Sequence, residues 1–314
     1  MTAMPSKSRK WVSRSDFALI FSLPGYMFLS WFVHEPWWNG ICRVMNRFSR
    51  IFSSPNPLVE KVALLLPRTM MDVDPAAIVQ ELEEGRREHY FQVFRDYRPR
   101  GWNPVFEING IHHLEEARQS KRGVILWIDH FVFNGLLPKK VLAQAGYRFT
   151  HLSRPEHGFS KTEFGVRILN PLRTSIEDRY LKGRVLIERG AESRSVRSLT
   201  RLLKQGEIAS ITAGAWEGRR TARAKVLGHD YPLATGAPAI AHSTDSALIP
   251  VAVYRLPHSG KFRVDLDSPI LLGSVETKSE AIEVALAAYA RHLEPLVKAY
   301  PGQWRGWNYL EVRS

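Results

Sequence analysis

The chain has 314 residues, 44% of them hydrophobic, enough to bury one sizeable core without requiring a second domain. Its formal charge of +13 and sequence pI near 9.9 imply attraction to something acidic: anionic lipid headgroups, a phosphorylated substrate, an acidic carrier protein or nucleic acid. The single cysteine, Cys42, excludes an intramolecular disulfide and a cysteine metal cluster, and fits a reducing, cytoplasm-facing location.

Lys7, Arg9, Lys10 and Arg14 precede an almost wholly apolar stretch from Phe17 to Val33, the order of a signal anchor. No small-x-small cleavage site follows, so the segment is expected to stay attached. Pro24 and Gly25 weaken its middle, which leaves an interfacial helix and a short spanning one both open. Trp37 to Phe52 then mixes aromatic and aliphatic residues with Arg43, Arg47 and Arg50, a pattern that lies along headgroups while its cations snorkel outward. The alternative is that Phe17 to Phe52 packs on the globular domain as two core helices. Residues 1–57 are expected to form a membrane-associated helical segment on the cytoplasmic side, and residues 58–314 the main domain.

Asp74 and Pro75 are placed to open a charged helix over Ala76 to Tyr97. From Val105 onward short apolar runs alternate with helical stretches. Strands are expected at Val105–Ile108, Gly123–Asp129, Phe149–Leu152, Arg184–Ile187, Ile208–Thr212, Ala224–Leu227, Ala247–Tyr254 and Lys261–Leu266. Helices are expected at His113–Ser120, Val132–Ala145, Val196–Gln205, Ala237–Asp245 and Lys278–Ala299. This alternation predicts an α/β fold, an αβα sandwich around a mostly parallel sheet that a later hairpin would make mixed.

The run Gly123 to Ile128 has the composition of a buried strand and ends in Asp129-His130, at the edge where α/β sheets bind ligands. A histidine there suits a general base, because its ordinary pKa lets it take and return a proton near neutrality. Thr212 to Arg220 closes another apolar strand, with glycines for close approach, Glu217 to orient a base, and Arg219 and Arg220 for phosphate or carboxylate oxygens. Asn170-Pro171 and Thr235-Gly236-Ala237-Pro238 read as loop-to-helix junctions that cap a helix or face an anion. His151, Arg154 and His157 are further candidates for the same crevice. No metal-ligand spacing and no phosphate-loop or dinucleotide glycine pattern occurs. The basic run from Arg179 to Lys204 has aromatics interleaved too sparsely for a stacking surface, Tyr180 alone, so no nucleic-acid partner is expected.

These residues resemble the family of lipid A biosynthesis acyltransferases, which is lysophospholipid-acyltransferase-like, over nearly the whole chain. The resemblance is carried by LPGYMFLSW, GWNPVFEINGIHHLEEA, His130-Phe131, Arg154-Pro155, RSLTRLLKQGEIASI, GAWEGRR, LATGAPAIAHSTDSALIPVAVYR and the closing YPGQWRGWNYLE. It implies a glycerophosphate-acyltransferase-like fold, peripheral attachment to the cytoplasmic face of the bacterial inner membrane, and no bound cofactor. It also implies transfer of a fatty acyl group from an acyl-carrier-protein or coenzyme A thioester to a hydroxyl or amine of a lipid or glycolipid. His130 is then the general base, with Arg154, Asn170, Trp216, Arg219, Arg220, Thr235 and Gly236 expected to hold substrate and screen the oxyanion.

The family pattern places Asp or Glu five residues after the histidine, where it orients the imidazole. Here that residue is Gly135. Three substitutes are conceivable: Glu217 first, then Asp129, which strand alternation points to the opposite face, and Asn134. Failing all three, the chain is expected to be an impaired family member that binds lipid or carrier protein.

Overall fold

The computed structural model describes residues 9–51, 56–187, 192–214, 220–257 and 259–312. The chain opens with two helices, α1 (Arg14–Phe32) and α2 (Trp38–Ile51). Ser13 and Asp16 form a capping box on α1, and the buried Asp16 carboxylate also accepts hydrogen bonds from Ser160 Oγ at 2.5 Å and Thr162 Oγ1 at 2.9 Å. At the other end the carbonyls of Val33 and Trp31 accept from the guanidiniums of Arg95 and Arg98, satisfying groups that a helix C-terminus leaves open. Both ends of α1 are therefore tied to the body. Tyr26, Trp38 and Cys42 join the main core along one face of the pair. Along the other, Phe17, Phe21, Phe28, Phe32, Trp37 and Phe48 are exposed, Phe21 to 82%. No helix among the described residues is long and apolar enough to cross a membrane.

Two helices follow, α3 (Pro57–Leu65) and α4 (Pro75–Arg95). Asp74 caps α4 by accepting the Ala76 N–H at 2.9 Å, with Pro75 in the first turn, where its missing N–H is harmless.

The rest of the chain supplies β1 (Phe106–Asn109), α5 (Ile111–Gln119), β2 (Val124–Ile128), α6 (Leu136–Gln144), β3 (Thr150–Ser153), α7 (Asn170–Asp178), β4 (Gly183–Leu186) and α8 (Glu192–Lys204). After these come β5 (Ile208–Thr212), β6 (Thr221–Val226), β7 (His229–Ala234), α9 (Gly236–Thr244), β8 (Ala247–Arg255), β9 (Phe262–Leu266) and α10 (Lys278–Ala299). Seven strands form one sheet in the order β1-β9-β8-β2-β5-β3-β4. Its pairs are parallel except β8 with β9, so the sheet is mixed and mostly parallel. β6 and β7 form a separate antiparallel hairpin.

β2 lies between β8 and β5 with all five residues buried, which is why its sequence is apolar without alternation. Four elements differ from expectation. α3 and α7 were not foreseen, and β7 carries Pro232 and polar ends that hide its strand character. The helix expected from Val132 begins at Leu136, because residues 131–135 form a turn that takes the chain off the sheet.

Candidate functional site

The chain leaves the sheet at Asp129, whose N–H still donates to Val251 O at 2.8 Å. Strand alternation holds for one further step. Trp127 packs in a tilted contact on Tyr289 of α10, Asp129 pairs with His292 of the same helix at 3.0 Å, and His130 takes the opposite side. His130 is 5% exposed.

Its backbone is clamped by the C-terminal segment. Arg305 N–H donates to His130 O at 2.9 Å, Phe131 bridges to Trp304, and Val132 N–H donates to Gln303 O at 2.8 Å. Gln303 also pairs its side-chain amide with the end of β8, accepting Arg255 N–H at 2.7 Å and donating to Arg255 O at 3.0 Å. The closing Gly302-Gln303-Trp304 stretch thus has a role that its spacing alone did not disclose: it fixes the backbone that carries His130. Burial, with the charges of Arg305 and Arg86, holds the His130 pKa well below its ordinary value, so the ring is neutral.

Two of the three expected substitutes for the missing acid are engaged elsewhere. Asp129 faces His292, whose other nitrogen meets Asp267 Oδ2 at 3.0 Å. Burial pulls the His292 pKa down, but the two carboxylates outweigh it and raise it to about 10, so an imidazolium sits between two acids. Asn134 Nδ2 donates to the backbone O of Asp129 at 2.9 Å and closes the turn. Glu217, with Trp216 and Arg219, lies outside the described residues. The end of β5 lies beside the strand that leads to His130, since Ile128 pairs with Thr212 and Ala213 N–H donates to Ile128 O at 2.8 Å.

Gly135 itself is crowded by base rather than acid. A Cβ there would lie 2.6 Å from His89 Cε1 and 2.7 Å from Arg173 Nη2.

Two cavities flank this region. One, of about 390 Å³, is mainly apolar and lies among α8, α9 and β5. Its lining brings together Arg154, Arg220, Thr235 and Gly236 with Trp127 and Leu199. Asn170 is not among them. Its side chain accepts the N–H groups of Phe159 at 2.7 Å and Ser160 at 2.9 Å, and so shapes a loop. His151 is buried against Ser210 Oγ at 2.8 Å, and the half-buried His157 meets Glu177 Oε2 at 2.8 Å.

The second cavity, about 590 Å³, is polar and lies between α1, α4 and the 134–135 turn. Arg86, Arg87 and His89 of α4, with Arg173 and Arg305, line it. None of these five was singled out from the sequence, where the charges of α4 read only as those of an amphipathic helix. The available signal was Arg86 one turn before His89, which puts both on one side of the helix. Among the described residues no group of three or more His, Cys, Asp or Glu side chains could hold a metal ion.

Comparison with known proteins bears on this geometry. Residues 25–307 match the family model described as bacterial lipid A biosynthesis acyltransferase. Among solved structures, the chain is similar to the 1-acyl-sn-glycerophosphate (LPA) acyltransferase, PlsC, from Thermotoga maritima, at 13% identity and a TM-score of 0.38, covering 90% of this chain and 97% of that one. The curated proteins contain no match.

Proposed function

The chain belongs to the bacterial lipid A biosynthesis acyltransferase family, and we propose that it moves a fatty acyl group from an acyl-carrier-protein or coenzyme A thioester to a hydroxyl or amine of a lipid or glycolipid acceptor at a membrane surface. The observation that carries this reading is His130: a neutral imidazole at the end of the central strand, clamped by Arg305 through its own carbonyl and by Gln303 through Val132. In the reaction the imidazole takes the acceptor's O–H or N–H proton as that atom attacks the thioester carbonyl. The tetrahedral intermediate then expels the thiolate, which takes the proton back from the imidazolium.

A cavity of about 390 Å³ falls in the range of ligand pockets, and its apolar wall suits an acyl tail. Arg154 and Arg220, with the α9 N-terminus at Thr235 and Gly236, suit the polar end of the donor. With Asp129 held by His292 and Asn134 by the turn, Glu217 is the side-chain acid assigned to orient His130. The aromatic stripe of α1 and α2, flanked by exposed Arg43, Arg47 and Arg50, suits a bilayer interface on the cytoplasmic face of the inner membrane.

The test is thiol release from a long-chain acyl thioester by protein in detergent or vesicles. His130→Ala should lower turnover roughly 10²–10⁴-fold, the scale of general base catalysis, with thermal unfolding unchanged. Full turnover in that variant rejects the assigned base. One observation favours a second reading, a lipid-binding protein without turnover: basic groups, not an acid, surround Gly135. Saturable lipid binding with no thiol release in the wild type would select it.

A further inference from the structure

The polar cavity beside Gly135 is built from cations that lack enough acid. Four arginines, Arg86, Arg87, Arg173 and Arg305, face it with Glu83 as the carboxylate in its lining. Arg173 spends its Nε on Glu177 at 2.7 Å and directs Nη2 toward Gly135. Among the described residues no carboxylate lies within ion-pair distance of the Arg305 guanidinium, and burial, then Arg86 and Arg173, depress its pKa to about 10. His89 supplies an independent sign. It is only 9% exposed, lines the cavity, and neither ring nitrogen has a hydrogen-bond partner. Buried polar groups of this kind are ordinarily satisfied, and a neutral imidazole has one N–H to donate.

We propose that this cavity is an oxyanion-binding site in which a phosphate or carboxylate borne by the acceptor sits beside the Gly135 turn, held by Arg173, Arg305 and His89. The inference rests on the acyl-transfer reading for its catalytic half and on the cavity alone for its binding half. A planar guanidinium pair and an imidazole N–H match the several oxygens of such a group. Arg305 and Arg86, which line the cavity, are also the cations that oppose a proton on His130. An anion seated between them cancels that repulsion as the acceptor binds. Burial, the largest cause of the depressed His130 pKa, remains, and the anion strengthens the base by removing the share that the two arginines contribute. The cavity's outer wall includes Ser15 and Ser22 of α1, the helix whose other face carries Phe17 and Phe21. A lipid with its tails in the bilayer would present its headgroup there.

The binding half is tested on the full chain in detergent by titrating inorganic phosphate and following the imidazole resonances, with His89→Gln used for assignment. A saturable shift of the His89 signal, weakened at least tenfold in Arg305→Gln, is expected. Absence of a shift in the wild type, or an unchanged titration in Arg305→Gln when that variant melts normally, overturns the site.

The catalytic half is tested with two acceptors that differ only in an anionic group, using one acyl thioester. The anionic acceptor should turn over at least tenfold faster. Added phosphate should accelerate the neutral acceptor and compete with the anionic one, which separates free anion from headgroup as the occupant. Equal rates for the two acceptors overturn the catalytic half. Phosphate binding with no turnover of either acceptor overturns the acyl-transfer reading and leaves the binding site standing.

Discussion

Replacing His292 with Gln tests the assignment of Asp129 as a structural partner rather than the acid of the base. The His292 pKa is raised from 6.5 to about 10 because Asp129 and Asp267, each 3.0 Å away, outweigh its burial. Each pKa unit is worth about 1.4 kcal/mol, so protonated His292 contributes roughly 5 kcal/mol to folding. Its folded-state pKa lies above the unfolded one. The contribution is therefore complete below pH 6.5 and is lost as pH rises toward 10, because the native state holds a proton that the unfolded chain has released. Lys139 acts in the opposite sense, since burial lowers its pKa to about 8 and the unfolded chain binds the extra proton from pH 8 upward. That effect is common to both proteins and cancels in their difference.

Urea unfolding followed by tryptophan fluorescence, from pH 6 to pH 10, gives the difference directly. Wild type minus His292→Gln should be greatest near pH 6, about 5 kcal/mol, and shrink by about 1.4 kcal/mol per pH unit above 6.5. A domain's whole stability is about 5–15 kcal/mol, so the variant should be marginal in acid and approach the wild type in alkali. A difference that is flat, or that grows with pH, would refute the charged Asp129–His292–Asp267 arrangement and return Asp129 to the candidates for serving His130.

Two further outcomes follow from the geometry. Phe21→Ser removes the most exposed ring of the aromatic stripe, and should weaken cosedimentation with anionic vesicles by roughly 10–100-fold, since burying such a side chain is worth about 1.5–3 kcal/mol; unchanged partitioning would mean that this face does not meet lipid. Gln303→Ala deletes both amide bonds to Arg255, and should cost about 1–3 kcal/mol in denaturant unfolding at roughly 0.5–1.5 kcal/mol per bond. It should also lower turnover more than KM, because the same segment holds the backbone of His130; a loss in KM alone would place the effect in binding.

Much of this architecture could be read from the residues because burial dictates their pattern. β2 is apolar on both faces only because β5 and β8 pair with it and helices cover it, and its ending in Asp-His marks the sheet edge without ambiguity. α10 and β5 have the bounds their periodicity indicates. The turn at 131–135 was hidden because Val132, Phe133, Leu136 and Leu137 are all apolar, so nothing local separates a buried turn from a buried helix. Charge roles were the least legible. Asn170 looked like a ligand-facing cap and instead braces its own loop. Arg86, His89, Arg173 and Arg305 come from three distant segments, and only the fold makes them neighbours.

Position 135 shows why a missing motif residue is best judged by what fills its space. A vacancy would leave room for an Asp or Glu to be restored, and a hydrophobic filling would retire the site. The space here holds an imidazole and a guanidinium at 2.6 and 2.7 Å from where a Cβ would stand, so a carboxylate could return only after both had moved. Basic groups packed together against one another are unfavourable unless something anionic joins them, and with Arg173 on Glu177 and Arg86 on Glu83, Arg87 and Arg305 have no carboxylate within ion-pair distance among the described residues. The position expected to carry an acid is thus surrounded by basic groups. That arrangement is coherent with chemistry in which negative charge arrives with the substrate. On this view the acceptor's anion enters from the side of the Gly135 turn, where Arg305 and the unpartnered His89 ring line the cavity, and it lowers the cost of a proton on His130 as the acceptor binds.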